Sequence, residues 1–231
     1  ALGLSEPSPD ETYTIDQTAP TVTAITRDSP ASESTASSSV TFAVSFSEKV
    51  VNVGTDDFEQ GGTAGGSVSG VTMPTSDDTT VTVSSLGDGT VDLNLAPQPR
   101  DIQDPAGNEP ASILSEETYT IDQTNPTVTE ITRTLPTPTN ADSVAFQVSF
   151  SEPVTSLGTD DFSPSNQPGG MATVTGVNTS GDTTVAVESI NGNGSLGLNV
   201  VDGDAQDAAG NGLATGEPSP DETYTVDNSP P

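Results

Sequence analysis

Val40-Thr41-Phe42-Ala43-Val44-Ser45-Phe46-Ser47-Glu48 is the stretch that decides the fold. Large apolar residues stand at every second position from Val40 to Phe46, with Thr41, Ala43, Ser45 and Ser47 between them. Successive side chains of a strand point to opposite faces, so this is a strand with one buried face. Val144, Phe146, Val148 and Phe150 repeat the pattern. Thr21–Ile25, Thr79–Val83, Thr90–Leu95 and Thr118–Ile121 read as further strands, with Gly, Ser, Asp and Pro in the turns between them. No stretch carries a convincing helical period.

The pattern recurs because the chain is a repeat. Glu-Thr-Tyr-Thr-Ile-Asp stands at Glu11–Asp16 and Glu117–Asp122, and returns with Val for Ile at Glu222–Asp227. Tyr13 and Tyr119 are 106 residues apart, Tyr119 and Tyr224 105. Val-Ser-Phe-Ser-Glu occurs at Val44–Glu48 and Val148–Glu152, and Gly-Thr-Asp-Asp-Phe at Gly54–Phe58 and Gly158–Phe162. About seven short strands in each period is the count of an immunoglobulin-like sandwich. The expected fold is therefore all-β, with tandem immunoglobulin-like β-sandwich domains over residues 17–122 and 123–227. Residues 1–16 read as the last strand of a preceding repeat, and 228–231 as the start of the next linker. Asp16-Gln17-Thr18-Ala19-Pro20 and Asp122-Gln123-Thr124-Asn125-Pro126 are the joints, each stiffened by its proline. The chain reads as a window on a longer array.

Composition narrows the function. Thirty-four acidic residues against four basic ones leave a net charge of -30. Phosphate binding needs Lys and Arg, so nucleic acid and anionic membrane surfaces are excluded as partners. No run of 18 apolar residues offers membrane insertion in this segment. Such a charge destabilises the compact state unless salt or bound cations neutralise it. Two explanations fit together: adaptation to a salty medium, and sites for divalent cations. With no Cys, no disulfide staples the domains, and a metal could take that role.

The carboxylates are the candidate ligands. Asp101-Ile102-Gln103-Asp104-Pro105-Ala106-Gly107-Asn108 returns as Asp204-Ala205-Gln206-Asp207-Ala208-Ala209-Gly210-Asn211, a tight acidic loop twice over. Counting by twos from Val40 puts Glu48 on the buried face, just past the strand's end, and Glu152 repeats the problem. An ionised carboxylate there is costly unless paired or bound to metal; the alternative is a bulge that turns it to water. In such a sandwich the loop after the second strand, the loop before the last strand and the N-terminus share one end. Asp16, Glu48, Asp101 and Asp104 would then converge, as would Asp122, Glu152, Asp204 and Asp207. Four carboxylates with a few carbonyls suit the six to eight oxygens that Ca²⁺ takes. His and Cys are absent, so a softer metal is disfavoured. The bland reading is a turn using Asp, Gly and Asn for their backbone preferences. Asn108 and Asn211 could donate carbonyls or adopt a left-handed turn. Asp56, Asp57, Asp160 and Asp161 read first as strand starts or turn caps and second as metal ligands, and Asp202 as an extra carboxylate near Asp204.

Together these pieces resemble the bacterial Ig-like repeats of large secreted surface adhesins. The matching residues are Phe-Ser-Glu-(Lys/Pro)-Val, Asp-Asp-Phe, Asp-(Pro/Ala)-Ala-Gly-Asn and Tyr-Thr-(Ile/Val)-Asp ahead of Pro, spanning nearly all of both repeats. The resemblance implies a β-sandwich, an extracellular or cell-surface location, a spacer role and Ca²⁺ at domain junctions, with neighbouring repeats as partners. Two other functions stand beside it. One is a subunit of an extracellular filament that self-associates by strand exchange. The other is a carbohydrate- or protein-binding module. All three Tyr and all six Phe fall at repeat-equivalent positions, leaving no aromatic for a private binding platform. Catalysis is disfavoured: without His or Cys a triad cannot form, and carboxylates duplicated in both repeats favour structure over a glycosidase pair.

Overall fold

The alternation at Val40–Phe46 becomes a strand in the computed structural model, which describes residues 11–73, 77–110, 116–219 and 221–230. In chain order the first eight strands are β1 (Val22–Ser29), β2 (Ser34–Thr35), β3 (Ser39–Phe46), β4 (Phe58–Gly62), β5 (Ser67–Thr72), β6 (Asp78–Ser84), β7 (Gly89–Leu95) and β8 (Tyr119–Ile121). Seven follow: β9 (Val128–Arg133), β10 (Ser143–Phe150), β11 (Phe162–Ser165), β12 (Thr173–Asn178), β13 (Thr183–Glu188), β14 (Gly194–Val200) and β15 (Tyr224–Val226). Short 3₁₀ turns at Thr55–Asp57 and Thr159–Asp161 lead into β4 and β11.

Two compact units divide the chain. Ser34–Ser37 and the residues from Ile121 onward form the second, and the other described residues the first. Strands β1-β3-β6-β5 make one antiparallel sheet, and β2-β8-β7-β4 make the other, in which β2 runs parallel to β8. The chain thus leaves one sheet after β3, returns for β5 and β6, and leaves again for β7 and β8. That is the Greek-key crossing of an immunoglobulin-like sandwich. The second unit repeats it with β12-β13-β10-β9 and β11-β14-β15. There the counterpart of β2 is reduced to a bridge between Thr139 and Val226.

Burial follows the sequence period. Along β3 every residue from Val40 to Phe46 of even number is buried, and its neighbours are half-buried. One cluster in the second unit joins residues of both sheets, among them Ile131, Phe146, Val185, Leu198 and Tyr224. The aromatic pair at the centre is conserved in geometry between the units. Phe42 meets Tyr119 edge-on at 5.1 Å, and Phe146 meets Tyr224 at 5.2 Å. Burying each such ring is worth roughly 2–3 kcal/mol, with about 1 kcal/mol more for the edge contact. The tyrosine also needs its hydroxyl satisfied. Tyr119 Oη lies 2.8 Å from Pro30 O and 2.9 Å from Thr41 O, and accepts the Asp28 N–H at 3.1 Å. Burial pushes its phenol up to about 12.

The first copy of the hexapeptide differs. Sequence pattern makes Glu11–Asp16 a strand, but none forms there, and Tyr13 and Ile15 stand 91% and 82% exposed. The physical reason is pairing: β8 and β15 already occupy the place beside β7 and β14 that this sequence fits. Residues 1–10 of the 1–16 segment and Pro231 of the 228–231 segment lie outside the described residues.

Candidate cation sites

The turn Asp104–Asn108 is built around one carboxylate. Asp104 Oδ1 accepts the backbone N–H groups of Ala106 and Asn108, both at 2.8 Å, and Oδ2 accepts the Asn108 side-chain amide at 2.8 Å. Asp207 makes the same contacts with Ala209 and Asn211 at 2.8 to 2.9 Å. The left-handed position is taken by glycine, with φ of 96° at Gly107 and 93° at Gly210, where a side chain would be strained. Of the roles open to the asparagine in the sequence, the left-handed turn is thus not the one it takes. Its amide nitrogen clamps the chain instead, donating also to Asp16 O at 3.3 Å from Asn108 and to Asp122 O at 2.8 Å from Asn211.

These clamps bring carboxylates of distant segments together. Asp16, Glu48 and Asp104 each offer an oxygen within 4.8 Å of the others, and Asp122, Glu152 and Asp207 do the same in the second unit. Asp104 and Asp207 are buried, Glu48, Asp122 and Glu152 half-buried, and Asp16 exposed. Asp16 Oδ1 accepts the Thr18 N–H at 2.9 Å, and Asp122 Oδ1 that of Thr124 at 3.0 Å. A cleft lined by Thr14, Asp16, Glu48, Lys49, Pro105 and Ala106 opens the first trio to solvent.

Asp101 and Asp204 stand elsewhere. Asp101 joins Asp56 and Asp57, and Asp204 joins Asp160 and Asp161, as second trios within 4.8 Å. Strand parity is the reason. Val51 and Gln103 exchange backbone hydrogen bonds at 2.8 and 3.2 Å, so the segment is extended there. Residues three apart then face opposite ways. Ile102 and Asp104 turn inward while Asp101 is exposed, and Ala205, Asp207 and Asp204 repeat this. Asp202 is exposed and belongs to neither trio. The alternation of Ile102 with its neighbours was the signal that separates Asp101 from Asp104.

In these second trios the buried member serves the backbone. Asp57 Oδ2 accepts the Gly54 N–H at 2.8 Å and Oδ1 the Ile102 N–H at 3.3 Å. Asp161 does the same for Gly158 and Ala205, at 2.7 and 3.1 Å. Both aspartates thereby cap a 3₁₀ turn and tie it to the loop before the last strand, the capping role read from the sequence.

The electrostatics differ accordingly. The Asn108 amide above all, helped by the backbone N–H groups of Asn108, Ala106 and Gly107, holds the Asp104 carboxyl below its ordinary value. Burial pushes Asp207 up, but the Asn211 amide and the N–H groups of Asn211, Ala209 and Gly210 outweigh it, so it too is lowered. Glu152 is raised, first by desolvation and then by the charges of Asp122 and Asp207. Burial also raises Asp57, against its two N–H donors. Among the described residues the ion pairs are Arg27–Glu117 and Arg133–Glu222, at 3.7 and 3.4 Å, and neither reaches a trio. The donor set at Asp16, Glu48 and Asp104 is all oxygen and anionic. It fits a hard cation, and in the equivalent trio a cation would offset the repulsion from Asp122 and Asp207 that adds to desolvation in raising Glu152.

No protein-family model matches the chain, and no curated protein matches it. Among solved structures it is similar to the Escherichia coli adhesin FdeC, with 16% identity over 90% of this chain and 64% of that one, at a TM-score of 0.47. Yersinia pseudotuberculosis InvD matches at 17% identity over 90% of this chain and 57% of that one, with a TM-score of 0.33. The S-layer protein SbsC matches at 14% identity over 91% and 26%, with a TM-score of 0.30. The chain spans less than two thirds of each. No helix among the described residues is long and apolar enough to cross a membrane.

Proposed function

We propose that this chain is a spacer segment of an extracellular bacterial adhesin, stiffened where its domains join by Ca²⁺. Asp16, Glu48 and Asp104 would hold one ion, and Asp122, Glu152 and Asp207 another. The observation that carries the reading is where the trios draw their members. Each combines a turn carboxylate, a carboxylate past the end of the second long strand, and the Asp that closes a Tyr-Thr-Ile-Asp motif. Asp122 is the residue directly after β8. An ion that fixes Asp122 fixes the chain as it leaves that strand, and removes freedom from the linker that follows. Bound Ca²⁺ supplies the charge that the acidic chain lacks, and the carboxylates and turn amides of this chain orient its ligands.

The linker itself supports a stiff joint. Asn125 Nδ2 donates to Gly212 O at 2.7 Å, and the Ala214 N–H donates to Pro126 O at 2.9 Å. A binding module gains no support: the described Tyr and Phe side chains other than Tyr13 are buried or half-buried in the repeats.

Limited proteolysis across residues 123–126 tests the proposal. Ca²⁺ should slow cleavage there in the parent chain and not in Asp122→Ala, with both units still folded. Equal protection in the variant would defeat the role of Asp122, and no protection in the parent would defeat the role of the ion.

A further inference from the structure

Four basic side chains serve a chain with 34 acidic ones, so where each is spent matters. Arg27 pairs with Glu117 at 3.7 Å, and Arg133 with Glu222 at 3.4 Å. Arg100 donates to Ala96 O at 2.8 Å and to Pro110 O at 2.7 Å. Lys49 is the fourth. It is exposed, makes no ion pair among the described residues, and lines the cleft that opens the first trio to solvent.

The second trio has no such neighbour. Val-Ser-Phe-Ser-Glu is followed by Lys49 in the first repeat and by Pro153 in the second. In other respects the trios draw the same residue types from the same places. The second is also the more closely held. Asn211 donates to Asp122 O at 2.8 Å where Asn108 donates to Asp16 O at 3.3 Å, and Asp122 is half-buried where Asp16 is exposed.

A cation entering the first cleft therefore meets a charge of its own sign. The cleft has a volume of about 480 Å³. Such a space is on the order of 8 Å across, about one Debye length at physiological ionic strength, so salt screens the repulsion only in part. A unit charge acting on a divalent ion over that distance in water lowers affinity roughly 3- to 10-fold.

We infer that Lys49 makes the first trio the weaker of the two cation sites, so that the chain loads Ca²⁺ in two steps and the second trio fills first. The inference rests on the Ca²⁺ reading of the trios and adds their order. The segment that leaves β8 at Asp122 is then fixed at a lower Ca²⁺ concentration than the segment that follows Asp16.

Calorimetric Ca²⁺ titration of the full chain tests this, with one trio disabled at a time. Glu152→Gln leaves the first trio to be measured and Glu48→Gln the second. The first should bind roughly 3- to 10-fold more weakly than the second. Adding Lys49→Gln to Glu152→Gln should recover that factor, and adding Lys49→Arg, which keeps the charge, should recover none of it. Pro153→Lys added to Glu48→Gln should weaken the second site, and Pro153→Gln should not. Two sites of equal Kd, or a first site that Lys49→Gln leaves unchanged, would overturn the inference and leave the Ca²⁺ reading standing. Binding at neither trio would overturn both.

Discussion

Each unit carries two acidic trios of similar size, one at Asp16, Glu48 and Asp104 and one at Asp56, Asp57 and Asp101 in the first unit. They differ in what compels the charges to meet. Asp56 and Asp57 are chain neighbours in one turn, and Asp57 is buried because the turn needs its two acceptors. Asp16, Glu48 and Asp104 come from three distant segments, and no single turn forces them together. Carboxylates brought together from distant segments repel one another, and a bound cation would offset that cost. The proposed ion site therefore rests on this difference in origin and not on proximity alone.

The largest expected effect is that of Ca²⁺ itself. Extracellular modules bind it with Kd of ~10⁻⁴–10⁻³ M. At a free concentration 100 times Kd it should stabilise each loaded unit by about 2.7 kcal/mol. Calorimetric melts in Ca²⁺ and in NaCl of matched ionic strength separate site binding from screening. Equal shifts in both would make the acidity a salt adaptation instead. Next comes the capping trio. Asp57→Ala or Asp161→Ala leaves two backbone N–H groups without acceptors and should cost about 2 kcal/mol, which lowers the melting of that unit by roughly 10 °C. The Ca²⁺ shift should survive. Glu152→Gln should do the reverse: a slight rise in melting without Ca²⁺, as a repelling charge is gone, and loss of the Ca²⁺ shift in the second unit.

Smaller still is a pH effect that belongs to the capping trio. The Asp57 carboxyl is raised in the folded chain, chiefly by burial. Its contribution favours folding below the ordinary carboxylate value and is lost as pH rises through the raised folded value. Metal-free melts of Asp57→Asn and the parent should converge as pH rises, because only the parent takes on that penalty, whereas a pure capping loss would leave them parallel. Parallel melting curves across this range would remove the charge of Asp57 from the account.

Much of this was written in the sequence, because strand parity is a strict code. Val40, Phe42, Val44 and Phe46 turn inward as their spacing requires, and the repeat carries the result to Val144–Phe150. Strands β4 and β5 were harder to see: Phe58-Glu59-Gln60-Gly61-Gly62 and Ser67-Val68-Ser69-Gly70-Val71-Thr72 break the alternation with glycine. Glu48 and Asp104 were legible as neighbours through topology. Asp101 was not, since a spacing of three reads as one loop until the extended backbone at Gln103 is known. Glu11–Asp16 shows the opposite limit. Its residues match those of the core strand at Glu117–Asp122, yet Tyr13 and Ile15 stand exposed.

Equilibrium dialysis at free Ca²⁺ well above that Kd range tests the central claim most directly. The parent chain should retain two ions, one for each trio that combines a turn Asp, a strand-end Glu and the Asp of the Tyr-Thr-Ile-Asp motif. Glu48→Gln with Glu152→Gln should retain none, while Asp56→Asn with Asp160→Asn should keep both. Retention unchanged by the first pair, or lost only with the second, would contradict the assignment and move the ions to the trios that cap the turns.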